Sequence, residues 1–302
     1  MAFTAKDVQA LREKTGCGMM DCKKALTASD GDMEKAIDFL REKGLAAAAK
    51  KSGRIAAEGT VYAMVDEAKK VGVVIEVNAE TDFVAKNADF QGFVKECAEI
   101  VAEQAPADVD GLLKCEKNGV PVEQMLRDKI LTIGENIKLR RFERMEGTLC
   151  SYIHGGGRIG VMMQMETTGG VEDKDEFKAA AKDVAMQIAA LSPSYLDRDS
   201  VPADVLEKEK KFLTEQVMAE GKPANIAEKI VMGKIGKYYK ENCLVDQPFV
   251  KDGNTTAGKY LEDAAKALGG TVKIVKFVRF EKGEGLQKRE DNFADEVASM
   301  MK

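Results

Sequence analysis

Glu58-Gly59-Thr60-Val61 returns 88 residues later as Glu146-Gly147-Thr148-Leu149, and Val71-Gly72-Val73-Val74 returns at the same offset as Ile159-Gly160-Val161-Met162. The segments are β-rich, and a short polar or glycine-rich turn joins each pair, so each pair predicts a β-hairpin. An amphipathic helix is expected after both hairpins. Phe90, Phe93, Val94, Cys97 and Ile100 recur at helical spacing in the first copy, and Phe177, Ala181, Val184 and Ile188 in the second. The copies also close alike, on Arg141-Phe142-Glu143 and Arg279-Phe280-Glu281. Internal similarity at a fixed offset marks a duplicated α+β unit.

The second copy is longer because residues 194–240 are inserted before its last strand. Leu206, Leu213 and Val217 mark one inserted helix, Ile226, Ile230 and Ile235 another, and Gly221-Lys222-Pro223 turns the chain between them. Such a hairpin either forms an oligomerisation arm or folds back on its own domain, and the pattern leaves both open. Upstream, three short helices are expected. Thr4 caps the first, which carries Val8 and Leu11 and ends near Thr15-Gly16. The second holds Met19, Met20, Cys22, Ala25 and Leu26. Asp32 caps the third, which holds Ile37 and Leu40 and is terminated by Gly44. So small a bundle has a marginal core and either packs tightly or carries a surface patch. Residues 45–57 read as a helical connector, and Asp291–Lys302 as a last helix with Phe293, Val297 and Met300 or Met301 on one face. The expected domains are 1–55 (head and connector), 56–145 (first core copy), 146–193 with 241–283 (second core copy), 194–240 (inserted hairpin) and 284–302 (C-terminal module).

Composition narrows the function classes. The 302 residues carry 46 basic and 51 acidic side chains, a net −5 that argues against a dedicated nucleic-acid binder. Residues 1–55 hold 11 basic and 8 acidic groups, net +3, leaving −8 for the rest. A positive head on an acidic body suits a protein partner with patches of both signs. The six cysteines form no C-x-x-C pair and read as reduced thiols of a cytosolic protein. No apolar stretch fits a signal peptide or a membrane span, so a cytoplasmic location is expected. The single histidine, His154, rules out a multi-histidine metal site and leaves little for histidine-based catalysis.

Two motifs invite a nucleotide-binding reading and fail on context. Gly155-Gly156-Gly157-Arg158-Ile159-Gly160 contains G-x-G-x-x-G, but it is expected to link two strands, whereas a dinucleotide loop leads from a strand into a helix. Its counterpart in the first copy is an ordinary turn, Asp66–Lys70. Gly253–Tyr260 has phosphate-loop spacing, but Tyr260 stands where a Ser or Thr hydroxyl must reach Mg²⁺. It reads instead as a polar turn before a helix over 260–268.

The copies diverge after their second strand. The first reads Glu76-Val77-Asn78-Ala79-Glu80-Thr81-Asp82-Phe83-Val84-Ala85-Lys86-Asn87, while the second has Gly169-Gly170 in the comparable region and is one residue shorter. What only one copy carries is not demanded by the shared fold. Phe83 either tucks under the following helix as core or protrudes beside Asp82 as a binding hot spot.

Glu76–Asn87 and the head segment Leu11-Arg12-Glu13-Lys14-Thr15-Gly16-Cys17-Gly18-Met19-Met20-Asp21-Cys22-Lys23-Lys24-Ala25-Leu26 together resemble the two signatures of the elongation factor Ts family. The resemblance covers essentially the whole chain and implies a ubiquitin-associated-like (UBA-like) head, a duplicated core, a helical insertion and a C-terminal module. One departure is Ala79, where the family often has cysteine. The resemblance implies a guanine-nucleotide exchange factor that docks on elongation factor Tu and releases GDP without chemistry, cofactor, metal or direct nucleotide binding of its own. Phe83, flanked by Thr81, Asp82 and Val84, would enter the partner near its Mg²⁺ site. Arg12, Met19, Met20 and Lys23 of the head, Lys51 of the connector and His154 of the second copy would also face it. Dimerisation through the hairpin, giving a heterotetramer with the partner, stays open. The alternative is a non-catalytic adaptor that uses the head alone.

Overall fold

The computed structural model describes residues 3–221 and 223–287. It is mixed α and β, as the repeat predicts, and its chain groups into two compact units. The first unit contains the described residues up to Tyr62, Ile75–Arg144 and those from Phe280; the second contains Ala63–Val74 and Met145–Arg279.

The head helices are α1 (Ala5–Thr15), α2 (Met19–Ala28) and α3 (Met33–Lys51). Each boundary has a local cause. The Thr4 N–H donates to Asp7 Oδ2 at 2.7 Å, Gly16 ends α1 with φ of 66°, and Asp32 Oδ1 accepts the Glu34 and Lys35 N–H groups at 3.0 and 3.1 Å. Gly44 does not terminate α3, contrary to expectation. The helix runs on through the alanine-rich stretch 46–49, whose propensity outweighs one glycine. Gly44 is buried where α3 faces the later chain, and a Cβ there would meet the Arg127 carbonyl oxygen at 3.7 Å, an ordinary contact distance.

After the head come β1 (Glu58–Asp66), β2 (Val71–Ala79), the single turn α4 (Asp82–Ala85) and α5 (Ala88–Gln104). There follow α6 (Val109–Lys114), the small hairpin β3 (Glu116–Lys117) and β4 (Val120–Pro121), α7 (Val122–Ile133) and β5 (Lys138–Glu146). The sheet order is β1-β2-β5. Helix α7, which the sequence reading passes over, packs along α3, and its Leu131 completes the head core of Leu11, Cys22, Ala25, Leu26, Ala36 and Leu40.

The second copy repeats the plan. β6 (Thr148–His154) pairs antiparallel with β7 (Ile159–Thr168) from Thr148↔Met165 to His154↔Ile159. Then come α8 (Asp175–Leu191), α9 (Ala203–Ala219), α10 (Ala224–Asn242), β8 (Pro248–Phe249), β9 (Asp252–Thr256), α11 (Ala257–Ala267) and β10 (Thr271–Glu281). The order β10-β7-β6 matches that of the first sheet. Phe177, Ala181, Val184 and Ile188 of α8 are buried against Val161, Met163 and Leu261. The inserted hairpin closes on Leu213, Val217, Ala227, Val231 and Ile235; Ile226, expected in that seam, faces outward. The Gly253–Tyr260 segment also differs from expectation. It is not a turn: Asp252–Thr256 pairs as β9 with β8, and the helix starts at Ala257, where Thr256 Oγ1 caps Lys259 N–H. The expected helix at 291–302 lies outside the described residues.

At the centre of the first unit Glu76 is fully buried (0 % exposed) and ionised. Its Oε1 accepts from Arg140 Nη1 at 2.9 Å, Asn78 Nδ2 at 3.1 Å and the Gly283 N–H at 2.8 Å, while Oε2 accepts from Arg141 Nε at 2.6 Å. Burial alone would raise the Glu76 pKa, but the Gly283, Arg140, Asn78 and Arg141 donors together hold it below the ordinary 4.5. A depressed folded-state pKa stabilises the fold above the unfolded value, and that stability is lost as pH falls through the folded value. Glu76→Ala should cost about 3 kcal/mol in urea unfolding at pH 7, because it removes the shared counter-ion of Arg140 and Arg141 and leaves the Gly283 N–H without its acceptor. The difference from wild type should shrink as pH falls below about 4.5; a pH-independent difference would contradict the charged role.

Candidate functional site

Where β2 ends, the chain makes one helical turn between two caps. The Thr81 hydroxyl oxygen accepts the Val84 N–H at 3.4 Å, and Asn87 Oδ1 accepts Asp89 N–H at 2.8 Å and Phe90 N–H at 3.3 Å, starting α5. The intervening turn, α4, holds Phe83 out into solvent with 80 % of its surface exposed. The core alternative for Phe83 is thereby excluded. Val84 and Thr81 are half-buried beside it, and Asp82 is exposed. The Lys86 ammonium donates to Asp82 Oδ2 at 2.7 Å and holds that carboxyl below the usual carboxylate range, so it stays charged at neutral pH.

A second corner, between α7 and β5, grips the base of this turn. Glu135 Oε2 accepts the Glu80 and Thr81 N–H groups, both at 3.0 Å, and its Oε1 accepts the Thr81 hydroxyl at 2.7 Å. In return Glu80 Oε1 accepts the Asn136 N–H at 2.6 Å and lies 3.4 Å from Arg54 Nη1. Asn136 Nδ2 closes the circuit on the Arg54 carbonyl at 2.8 Å. Each corner thus supplies a carboxylate to the backbone of the other. Glu80, Glu135, Asn136 and Arg54 were not among the residues singled out from sequence. One available signal was Gly134, a glycine just past an amphipathic run, which here ends α7 with φ of 86°.

The other expected residues fall in three places. Arg12 is exposed on α1, and Met19 (54 % exposed), Met20 (63 %) and Lys23 line the outer face of the first turns of α2. The i, i+3 and i, i+4 spacings make these three neighbours. Two exposed methionines on one helix end form an adaptable apolar patch. Lys51 is half-buried at the end of α3, where its ammonium donates to the Ile130 carbonyl at 3.3 Å. Burial lowers its pKa, although Glu80 and Glu135 nearby oppose the shift. Lys51 therefore braces the corner that carries Glu135. His154 is exposed at the end of β6, with its Nδ1 3.1 Å from the Tyr152 hydroxyl, and it belongs to the second unit.

Neither nucleotide motif has the context it needs. Gly155–Arg158 joins β6 directly to β7. The Tyr260 hydroxyl donates to Asp183 at 3.1 Å while its ring stacks on Phe249 at 4.0 Å, so it is committed to packing. The second unit has a cleft of about 430 Å³ lined in part by Leu149, Cys150, Met165, Phe177 and Lys178. Burial pushes the Cys150 thiol up to about 11, far from a reactive thiolate, and Lys178 is tied to Glu67 at 3.1 Å. Among the described residues no group of three or more His, Cys, Asp or Glu is placed to hold a metal, and no helix is long and apolar enough to cross a membrane.

Comparison with known proteins agrees with the two signatures. The family model described as Elongation factor TS matches residues 80–284. Elongation factor Ts of Clostridium perfringens (strain SM101 / Type A) is 52 % identical over 302 residues, covering 99 % of both chains. That of Clostridioides difficile (strain 630) is 50 % identical over 304 residues, again covering 99 % of each, and that of Clostridium kluyveri (strain NBRC 12016) is 50 % identical over 301 residues. At this identity and coverage, the chain carrying the clamped Phe83 turn belongs to the elongation factor Ts family of translation elongation factors.

Proposed function

We propose that this chain is a guanine-nucleotide exchange factor that docks on elongation factor Tu and speeds GDP release. The observation that carries the reading is the Phe83 turn: a large aromatic, 80 % exposed, beside the charged Asp82 and fixed at its base by hydrogen bonds. An exposed aromatic held in one geometry suits insertion into a pocket on a partner. On this reading Phe83 enters the GTPase domain near the Mg²⁺ site, with Asp82, Thr81 and Val84 around it, and loosens the metal and phosphate contacts. The effect is linkage: a factor that prefers the nucleotide-free partner must weaken nucleotide binding by the same factor. No bond is made or broken, so the chain is not an enzyme, and it binds neither nucleotide nor nucleic acid itself.

The head, read as UBA-like, supplies the second docking surface through Arg12, Met19, Met20 and Lys23. Lys51 supports it, and His154 meets a different domain of the partner. The domain limits proposed are those of the sequence reading: 1–55, 56–145, 146–193 with 241–283, 194–240 and 284–302. Translation elongation places the protein in the cytoplasm. The adaptor alternative draws on the exposed Met19 and Met20 and requires binding that survives loss of Phe83.

The deciding measurement is release of a fluorescent GDP analogue from elongation factor Tu. Wild-type protein should accelerate release; no acceleration would refute exchange activity. Phe83→Ala should cut the acceleration by at least about ten-fold, the loss expected for a hot-spot aromatic. Its folding stability should stay within about 0.5 kcal/mol of wild type, because the ring is on the surface. An undiminished rate would remove Phe83 from the mechanism and favour the adaptor. Light scattering behind size exclusion, with and without residues 203–242, checks whether the α9–α10 hairpin dimerises. A mass of twice the chain that falls to one chain on deletion is the outcome expected of a dimerisation arm.

A further inference from the structure

We infer that Glu135 is a positioning residue for Phe83, acting through the Thr81 hydroxyl; the inference rests on the exchange reading above. A four-residue helical turn has too few hydrogen bonds to offset the cost of nucleating it. α4 therefore depends on its caps, and the Thr81 cap depends on where one proton points. The Thr81 oxygen can accept the Val84 N–H only while its own O–H is directed elsewhere, and Glu135 Oε1 takes that O–H at 2.7 Å. The other oxygen of the same carboxylate fixes the two peptide N–H groups that lead into the turn. One side chain thus sets the rotamer of the cap and the direction of the chain entering it.

The location explains why a side chain is used. β2 and β5 are neighbours in the sheet, but β2 ends at Ala79 and β5 begins only at Lys138. Beyond the ladder, the N–H groups of residues 80, 81 and 136 have no strand partner. The Glu80 and Glu135 carboxylates satisfy them across the gap and carry the pairing further. Docking an already ordered turn avoids the entropy cost of ordering it on contact. Loss of Glu135 should therefore weaken docking more than it lowers the rate at saturation.

The chain has no tryptophan, so Phe83→Trp places a single tryptophan on the turn, excited apart from the six tyrosines at the red edge of the absorption band. In that background, Glu135→Ala should speed local depolarisation in time-resolved anisotropy, whereas Glu135→Gln should leave it near the parent. The glutamine carbonyl oxygen accepts the two peptide N–H groups, and its amide donates to one lone pair of the Thr81 oxygen, which leaves the other for the Val84 N–H and turns the Thr81 O–H to water. With Phe83 restored, Glu135→Ala should raise the half-saturating concentration for GDP release by about ten-fold. The saturating rate should largely be kept, and Glu135→Gln should rescue the affinity. Thr81→Val, which removes the hydroxyl and leaves the carboxylate, should shift both readouts in the same direction and serves if Glu135→Ala unfolds. Unchanged anisotropy in both Glu135→Ala and Thr81→Val would overturn the inference. So would a Glu135→Gln variant with a rigid turn but the affinity loss of Glu135→Ala, since the charge itself would then meet the partner. If wild-type protein fails to accelerate release, the exchange reading falls, and anisotropy alone still decides whether Glu135 orders the turn.

Discussion

A carboxylate cut off from water must find its donors in the protein, and Glu76 collects four of them from β2, β5 and the segment after β10. Those demands fix more than an ion pair. Arg141 reaches Glu76 while lying 4.3 Å above the Phe280 ring, and it also donates to the Glu281 carbonyl at 3.2 Å. Lys282 pairs with Glu58 close by. At Gly283, with φ of 70°, a Cβ would sit 2.3 Å from the Ala57 carbonyl oxygen, so the backbone comes as near as it can. The partners of one buried charge are up to 207 residues away along the chain, which ties the first unit's interior to a segment distant in sequence.

Much of this was legible in the sequence because the copies check each other. The fixed offset located both hairpins, and the buried stripes of α5 and α8 follow from simple helical periodicity. Both helices even end on a left-handed non-glycine residue, Ala105 and Ser192. Two failures have local causes. Gly44 looked like a stop because glycine often is one, but its φ is not left-handed and the alanine-rich stretch after it carries the helix on. Asp252-Gly253-Asn254 are poor strand formers that mask Thr255-Thr256, and the segment pairs as β9 with Pro248-Phe249.

The candidate site was readable only at its tip. Phe83 drew attention as an aromatic that one copy has and the other replaces with glycine, and the geometry accounts for it as an exposed, capped turn. The clamp beneath it joins residues 54 to 56 positions apart. That proximity arises from β2 and β5 lying side by side, which no pattern within either segment encodes. Lys51 shows the same limit: expected from the resemblance to face the partner, it is half-buried and donates to the Ile130 carbonyl that also accepts from the Gly134 N–H.

The unbroken α3 has a further consequence. Nineteen residues of helix span about 28 Å at 1.5 Å per residue, so the head rides on a rod and not on a string. A flexible tether would spread a second contact through a large volume and dilute it. Here α3, braced along α7 and pinned by Lys51, holds the methionine patch at a set distance from the corner that carries Glu135. On the docking proposed above, engagement of either surface would deliver the other at a high effective concentration, so that the two would act as one bivalent grip.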